Sequence, residues 1–159
     1  LLNVLEGTEG QVVVFDHNLS PDILEIFLKH PLSLIATDGA GYDLENYSRQ
    51  GLVHPRCFGT IPKFFSIIRE KKILSWPEAI KKITSRPAEK LKIPKRGKLS
   101  EGFFADVVVF DPHTVQSKAS YQNPYIQADG IEQVIINGKP VVVNGEVKLR
   151  RSGKVLRIA

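Results

Sequence analysis

The hydrophobic residues of this chain fall into two regimes. In the first quarter they form short runs: residues 11–15 read Gln-Val-Val-Val-Phe, a continuous one, and residues 32–36, Leu-Ser-Leu-Ile-Ala, are nearly another. Such runs suit strands buried on both faces, as in a parallel sheet. Between them, Ser20-Pro21-Asp22 predicts a helix start, with serine as N-cap and proline at the first helical position. Ile23, Ile26 and Phe27 follow at helical spacing. The helix is expected to stop near His30-Pro31, because a residue before proline avoids the α region. The connection is long enough for a right-handed crossover, so residues 11–37 read as one βαβ unit.

A polar stretch follows, from Gly39 to Thr60, rich in glycine and containing Pro55. A loop of that length in a compact domain is usually functional. Helical spacing returns over residues 61–72, with Ile61, Phe65 and Ile68 on one stripe. Ser75-Trp76-Pro77-Glu78 has the form of a capping box opening a helix through Ile83. Ser85-Arg86-Pro87 starts another short helix. Near Lys92 the pattern changes. Residues 105–111 and 131–136 read as strands. Asn137-Gly138 and Asn144-Gly145 flank residues 140–143 as two-residue hairpin turns. The expected fold class is therefore α/β: a piece of an α/β domain, then a small, mostly antiparallel β unit. Two parallel strands neither close a barrel nor cover a sheet. The first piece thus reads as incomplete, and a chain that opens on Leu1-Leu2 and holds no methionine reads as part of a longer polypeptide.

Composition narrows the class. Hydrophobic residues make up 42% and charged residues 25% of the 159, the profile of a folded domain and not a disordered one. The single cysteine, Cys57, excludes an intrachain disulfide and a cysteine-rich zinc site. It suits a reducing, cytoplasmic setting. No apolar run approaches a membrane span, and no basic-then-apolar leader opens the chain. The net charge of +5 is uneven. Residues 61–98 hold twelve Lys/Arg against three Glu. Such a segment is either a nucleic-acid surface or the solvated outer face of helices. The aromatics there (Phe64, Phe65, Trp76) fall where a helix core wants them, which favours the solvated face.

Candidate chemistry centres on Thr37-Asp38-Gly39, where an acid closes a predicted buried strand and a glycine-rich loop begins. Parallel α/β folds keep their reacting groups at the carboxyl ends of strands. A carboxylate there acts as a general base or metal ligand, or caps a turn. Asp16-His17 ends the preceding strand and is either a second contribution to that pocket or part of a strand-end turn with Asn18. In His54-Pro55-Arg56, the guanidinium offers a fork for a carboxylate. His17, His30, His54 and His113 form no His-x-His or His-x₃-His pair, so this chain alone shows no complete zinc site. Cys57 lacks an obvious base and reads as an unreactive thiol. No phosphate loop, dinucleotide fingerprint or nucleophile elbow is present.

An ordered series of motifs resembles a known family. The series comprises Asp38-Gly39; the run from His54 through Pro55, Arg56, Gly59, Thr60 and Pro62 to Lys63; Pro77-Glu78-Ala79-Ile80; Thr84-Ser85-Arg86-Pro87-Ala88; Gly102 with Ala105-Asp106 through Phe110-Asp111; and Val134 to Gly138. From about Gly10 onward it resembles the C-terminal part of the N-acyl-D-amino-acid deacylases (D-aminoacylases) of the amidohydrolase superfamily. The resemblance implies the C-terminal fragment of a (β/α)8 barrel followed by part of a small β-sandwich. Residues 1–94 would supply the last barrel strands, a catalytic-face loop and covering helices. Residues 95–159 would supply the C-terminal half of the sandwich.

It also implies roles. Asp38 matches the acid that takes a proton from the zinc-activated water, passes it to the leaving amine and touches a second, weaker metal. Arg56 matches the residue that holds the α-carboxylate of the D-amino acid. His54 matches the motif without a role of its own. The main zinc ligands are expected upstream of this chain, so the chain alone is expected to be inactive. The implied partners are a small N-acyl-D-amino acid and either the missing barrel half or a second copy; neither a membrane nor a nucleic acid is expected. The alternatives are another metal-dependent amidohydrolase, of dihydroorotase or hydantoinase type, and a non-catalytic basic binding module.

Overall fold

The computed structural model describes residues 2–12, 20–42, 52–148 and 151–157. The elements run α1 (Leu2–Gly7), α2 (Pro21–Lys29), α3 (Arg56–Lys71), α4 (Trp76–Ile83), α5 (Ser85–Lys90), β1 (Val107–Phe110), β2 (Ile131–Ile136), β3 (Lys139–Val143) and β4 (Glu146–Val147).

The helix starts follow their local chemistry. At α2, Ser20 accepts a hydrogen bond from the Ile23 N–H with Pro21 just inside, and His30 closes the helix. At α4, Ser75 accepts from the Glu78 N–H. The Glu78 carboxylate does not complete the expected box; it pairs with Lys81 at 2.9 Å and Arg86 at 2.6 Å. α5 begins at Ser85 as expected.

Two expectations need correction. The loop does not last to Thr60, because α3 already begins at Arg56 and carries Pro62 inside it. Nor do residues 32–37 form a strand among the described residues. A strand is defined by its ladder, and no described neighbour supplies one. Residues 33–36 line a cavity, and Ile35 also packs on the core. Most of the first predicted strand, residues 13–15, and the pair Asp16-His17 lie outside the described residues.

The β unit matches its sequence pattern. Its four strands lie in the order β1-β2-β3-β4 with antiparallel pairings throughout. Both Asn-Gly turns hold positive φ at both residues (50° and 78°, 53° and 76°), the mirror-image turn that suits strand twist. Asp106 explains the acid before β1. Its Oδ1 accepts the Asn137 N–H at 2.8 Å and its Oδ2 pairs with Arg96. Arg96 also donates to Asn137 Oδ1 and stacks over Phe104, tying the linker to the first turn.

One core joins the helices to the sheet. Leu28, Phe64, Phe65, Ile68, Ala79 and Val115 are buried together. Phe65 stacks on Phe110 of β1 at 4.8 Å between centroids, and Trp76 closes the group at 5.5 and 5.8 Å. The aromatics of the basic segment thus face inward. Several of its cations meet carboxylates at the surface: Lys71 with Glu25, Lys81 and Arg86 with Glu78, and Lys98 with Glu89. Lys82 departs from the expected solvated face. It is 1% exposed, and its ammonium donates to His30 O, Ser33 O and Ser33 Oγ at 2.6, 3.1 and 2.7 Å. No helix among the described residues is long and apolar enough to cross a membrane.

Candidate functional site

Asp38 and Arg56, eighteen residues apart, meet at the start of α3. Arg56 Nη2 lies 3.1 Å from Asp38 Oδ2. Local geometry produces the encounter. Asp38 adopts a left-handed backbone, φ +45°, which aspartate tolerates better than most residues. The Gly39 N–H donates to Thr37 Oγ1 at 3.3 Å. Gly39 then packs directly on α3: a Cβ there would sit 2.9 Å from Cys57 Cα, too close for any side chain. The chain reversal after residue 37 is thereby seated on the helix start, with the acid beside the guanidinium.

The pair is open to water, with the Arg56 side chain 44% and that of Asp38 85% exposed. An ion pair so exposed adds little stability. Its significance is that Arg56 lines a cavity of about 670 Å³. Leu24, Phe27 and Leu28 of α2, Leu34 and Ala36, and Phe64 and Ile67 of α3 give that cavity apolar walls; His54, Arg56 and Lys63 supply its polar groups. Arg56 therefore lines the cavity, whereas Asp38 pairs with it from outside the lining. An apolar cavity with one strong anion-binding fork suits an amphiphilic carboxylate.

His54 is held on both ring nitrogens. Nδ1 accepts the Arg56 N–H at 3.0 Å, and Nε2 lies 3.1 Å from Tyr121 Oη. Tyr42, Phe58 and Tyr125 form a second aromatic group, with centroids 5.7–5.9 Å apart. Cys57 is a half-buried free thiol packed against Gly39. His30 accepts the Leu32 N–H, and the His113 N–H donates to Asp111; both serve local turns. Sequence reasoning gave Lys63 no role beyond its place in the motif run and missed Tyr121 and Tyr125. The two tyrosines sit in a stretch without helical or strand period, so nothing local marks them. Among the described residues no three His, Cys, Asp or Glu side chains stand close enough to hold a metal ion. The described residues therefore do not make a zinc site by themselves; among the proposed site residues Asp38 offers one carboxylate.

Comparison with known proteins fixes the class. Residues 45–142 match the sequence pattern of the Amidohydrolase family, and the chain belongs to that family. Among particular relatives, it is 34% identical over 136 residues to an N-acyl-D-aspartate deacylase of Alcaligenes xylosoxydans xylosoxydans, covering 85% of this chain and 26% of that protein. It is also 34% identical over 137 residues to a D-aminoacylase of the same organism, covering 86% and 27%. Two solved structures are similar. One is a D-aminoacylase said to define a novel subset of amidohydrolases, with a TM-score of 0.78, 29% identity, and coverage of 88% of this chain and 28% of that one. The other is an N-acyl-D-glutamate deacylase from Bordetella bronchiseptica complexed with zinc and a phosphonate mimic of the tetrahedral intermediate, with a TM-score of 0.73, 32% identity, and coverage of 88% and 28%. The chain spans about a quarter of the length of the curated relatives it matches.

Proposed function

We propose that this chain is the C-terminal part of a zinc-dependent N-acyl-D-amino-acid deacylase, which hydrolyses the amide bond and releases a free D-amino acid. The observation that carries the proposal is the Asp38–Arg56 pair at 3.1 Å, with Arg56 lining an apolar cavity. Arg56 binds the α-carboxylate of the substrate through its planar fork. Asp38, beside it, carries a proton on its carboxylate between the attacking water and the departing amine. Zinc, on ligands supplied mainly outside the described residues, provides the Lewis acid. Residues 1–94 belong to the barrel portion and residues 95–159 to the small β-sandwich. The core shared across that boundary, Phe65 with Phe110, supports the sandwich acting as a buttress for α3 and so for Arg56.

Relatives named for N-acyl-D-aspartate and N-acyl-D-glutamate support a carboxylate-bearing substrate over a cyclic amide. The experiment is direct. The complete zinc-loaded polypeptide is assayed with paired N-acetyl-D- and N-acetyl-L-amino acids. Hydrolysis confined to the D series is expected; equal rates on both enantiomers, or hydrolysis of a cyclic amide alone, defeat the proposal.

A further inference from the structure

We infer that His54 is a positioning residue for Arg56, and that Tyr121, from the segment between β1 and β2, holds its ring, so that the β unit reaches into the site. Arg56 is the first residue of α3, and its N–H is one of the donors a helix start leaves unpaired. The residue before it, Pro55, has no side-chain acceptor and makes no cap. The His54 ring does what the cap residue cannot: its Nδ1 accepts the Arg56 N–H at 3.0 Å. A nitrogen that accepts carries no proton, so in the neutral ring the proton sits on Nε2. That N–H then donates to Tyr121 Oη at 3.1 Å, with the rings edge to face at 5.1 Å.

A separate feature brings the tyrosine's segment to the helix. Gly59, one turn into α3, lies against Ser117, where any Cβ would collide with the serine side chain. The segment carrying Tyr121 is thus seated on the same turn of helix that begins with Arg56. Swinging the ring away would free the Arg56 backbone and the direction from which its guanidinium enters the cavity. The functional arm of this inference rests on the carboxylate role proposed for Arg56; the structural arm does not.

The test uses isotopically labelled chain of full length. Ring-nitrogen NMR shifts are expected to show His54 with protonated Nε2 and bare Nδ1. In His54→Ala, the Arg56 amide should exchange with solvent about tenfold faster, the loss of one hydrogen bond. In His54→Asn, exchange should return close to the original rate, because an Asn side-chain oxygen accepts from the N–H two residues on. Tyr121→Phe should move the Nε2 shift and leave folding intact. In the complete enzyme, His54→Ala should raise KM with kcat kept, and Asn should restore it. A proton on Nδ1, or an Arg56 amide indifferent to His54→Ala, overturns the inference. Should KM stay fixed in His54→Ala while Arg56→Ala raises it, the positioning inference falls and the carboxylate role of Arg56 stands; should neither variant move KM, the carboxylate role falls.

Discussion

Replacing Lys82 by methionine removes a buried charge while keeping most of the volume, so the cavity term is small. The ammonium donates three hydrogen bonds, to His30 O, Ser33 O and Ser33 Oγ, and no carboxylate among the described residues pairs with it. These bonds fasten the end of α2 and the start of the segment leading to Asp38 onto α4. Charge-assisted hydrogen bonds contribute about 1.5–3 kcal/mol each, and acceptors left buried and unpaired cost about 1–3 kcal/mol each. Desolvating the ammonium offsets several kcal/mol of that. The net loss in Lys82→Met is therefore about 2–4 kcal/mol, read from urea unfolding, or about 5–15 °C in the thermal midpoint for a chain of this size.

The pH dependence has a definite sign. Burial, helped by Arg86 and only partly opposed by Glu78, holds the Lys82 pKa below its ordinary 10.5. The unfolded chain then binds the proton more tightly than the folded one. Wild-type stability gains from this group as pH rises from the lowered folded value to 10.5, and the gap to Lys82→Met widens over that window. A loss below about 0.5 kcal/mol would mean that the three bonds merely balance desolvation. A gap that narrows with rising pH would refute the burial argument.

Other substitutions probe the frame around the site. Asp106 is pushed up by burial, but the Asn137 N–H and Arg96 outweigh this and hold its carboxyl below 3.8. Its contribution is full above that value and lost as pH falls through the folded one. Asp106→Asn should therefore weaken the protein near about pH 7, and the gap to wild type should shrink as pH falls below 3.8, a comparison made by urea unfolding across that range. Gly39→Ala would drive a Cβ against the Cys57 backbone. It should cost about 1–3 kcal/mol by thermal unfolding, and an unchanged midpoint would deny the close approach that seats Asp38 beside Arg56.

The parts legible in the sequence were those set by short-range chemistry. Ser20-Pro21 and Ser75 carry their helix starts in their own side chains, and both Asn-Gly pairs reach the positive φ their turns demand. Asp38 and Arg56 were readable as candidates, and the fold brings them together. The first turn of α3 was hidden because Pro55 and Gly59 read as loop residues; Gly59 is there for the approach of Ser117. Lys82 looked like surface because charge normally is, and only the carbonyls around it, 49 and 52 residues away, make it interior. Tyr121 acts through a contact 67 residues away, beyond any local pattern.

The central claim is that Arg56 receives the carboxylate of the substrate. The direct measurement is kcat and KM for wild type and Arg56→Ala in the complete enzyme, on an N-acetyl-D-amino acid and on its uncharged α-amide. Loss of a charge-assisted pair should raise KM for the acid by about ten- to a hundredfold with kcat little changed, and leave the amide unaffected. An equal effect on both substrates, or no effect on the acid, would contradict it.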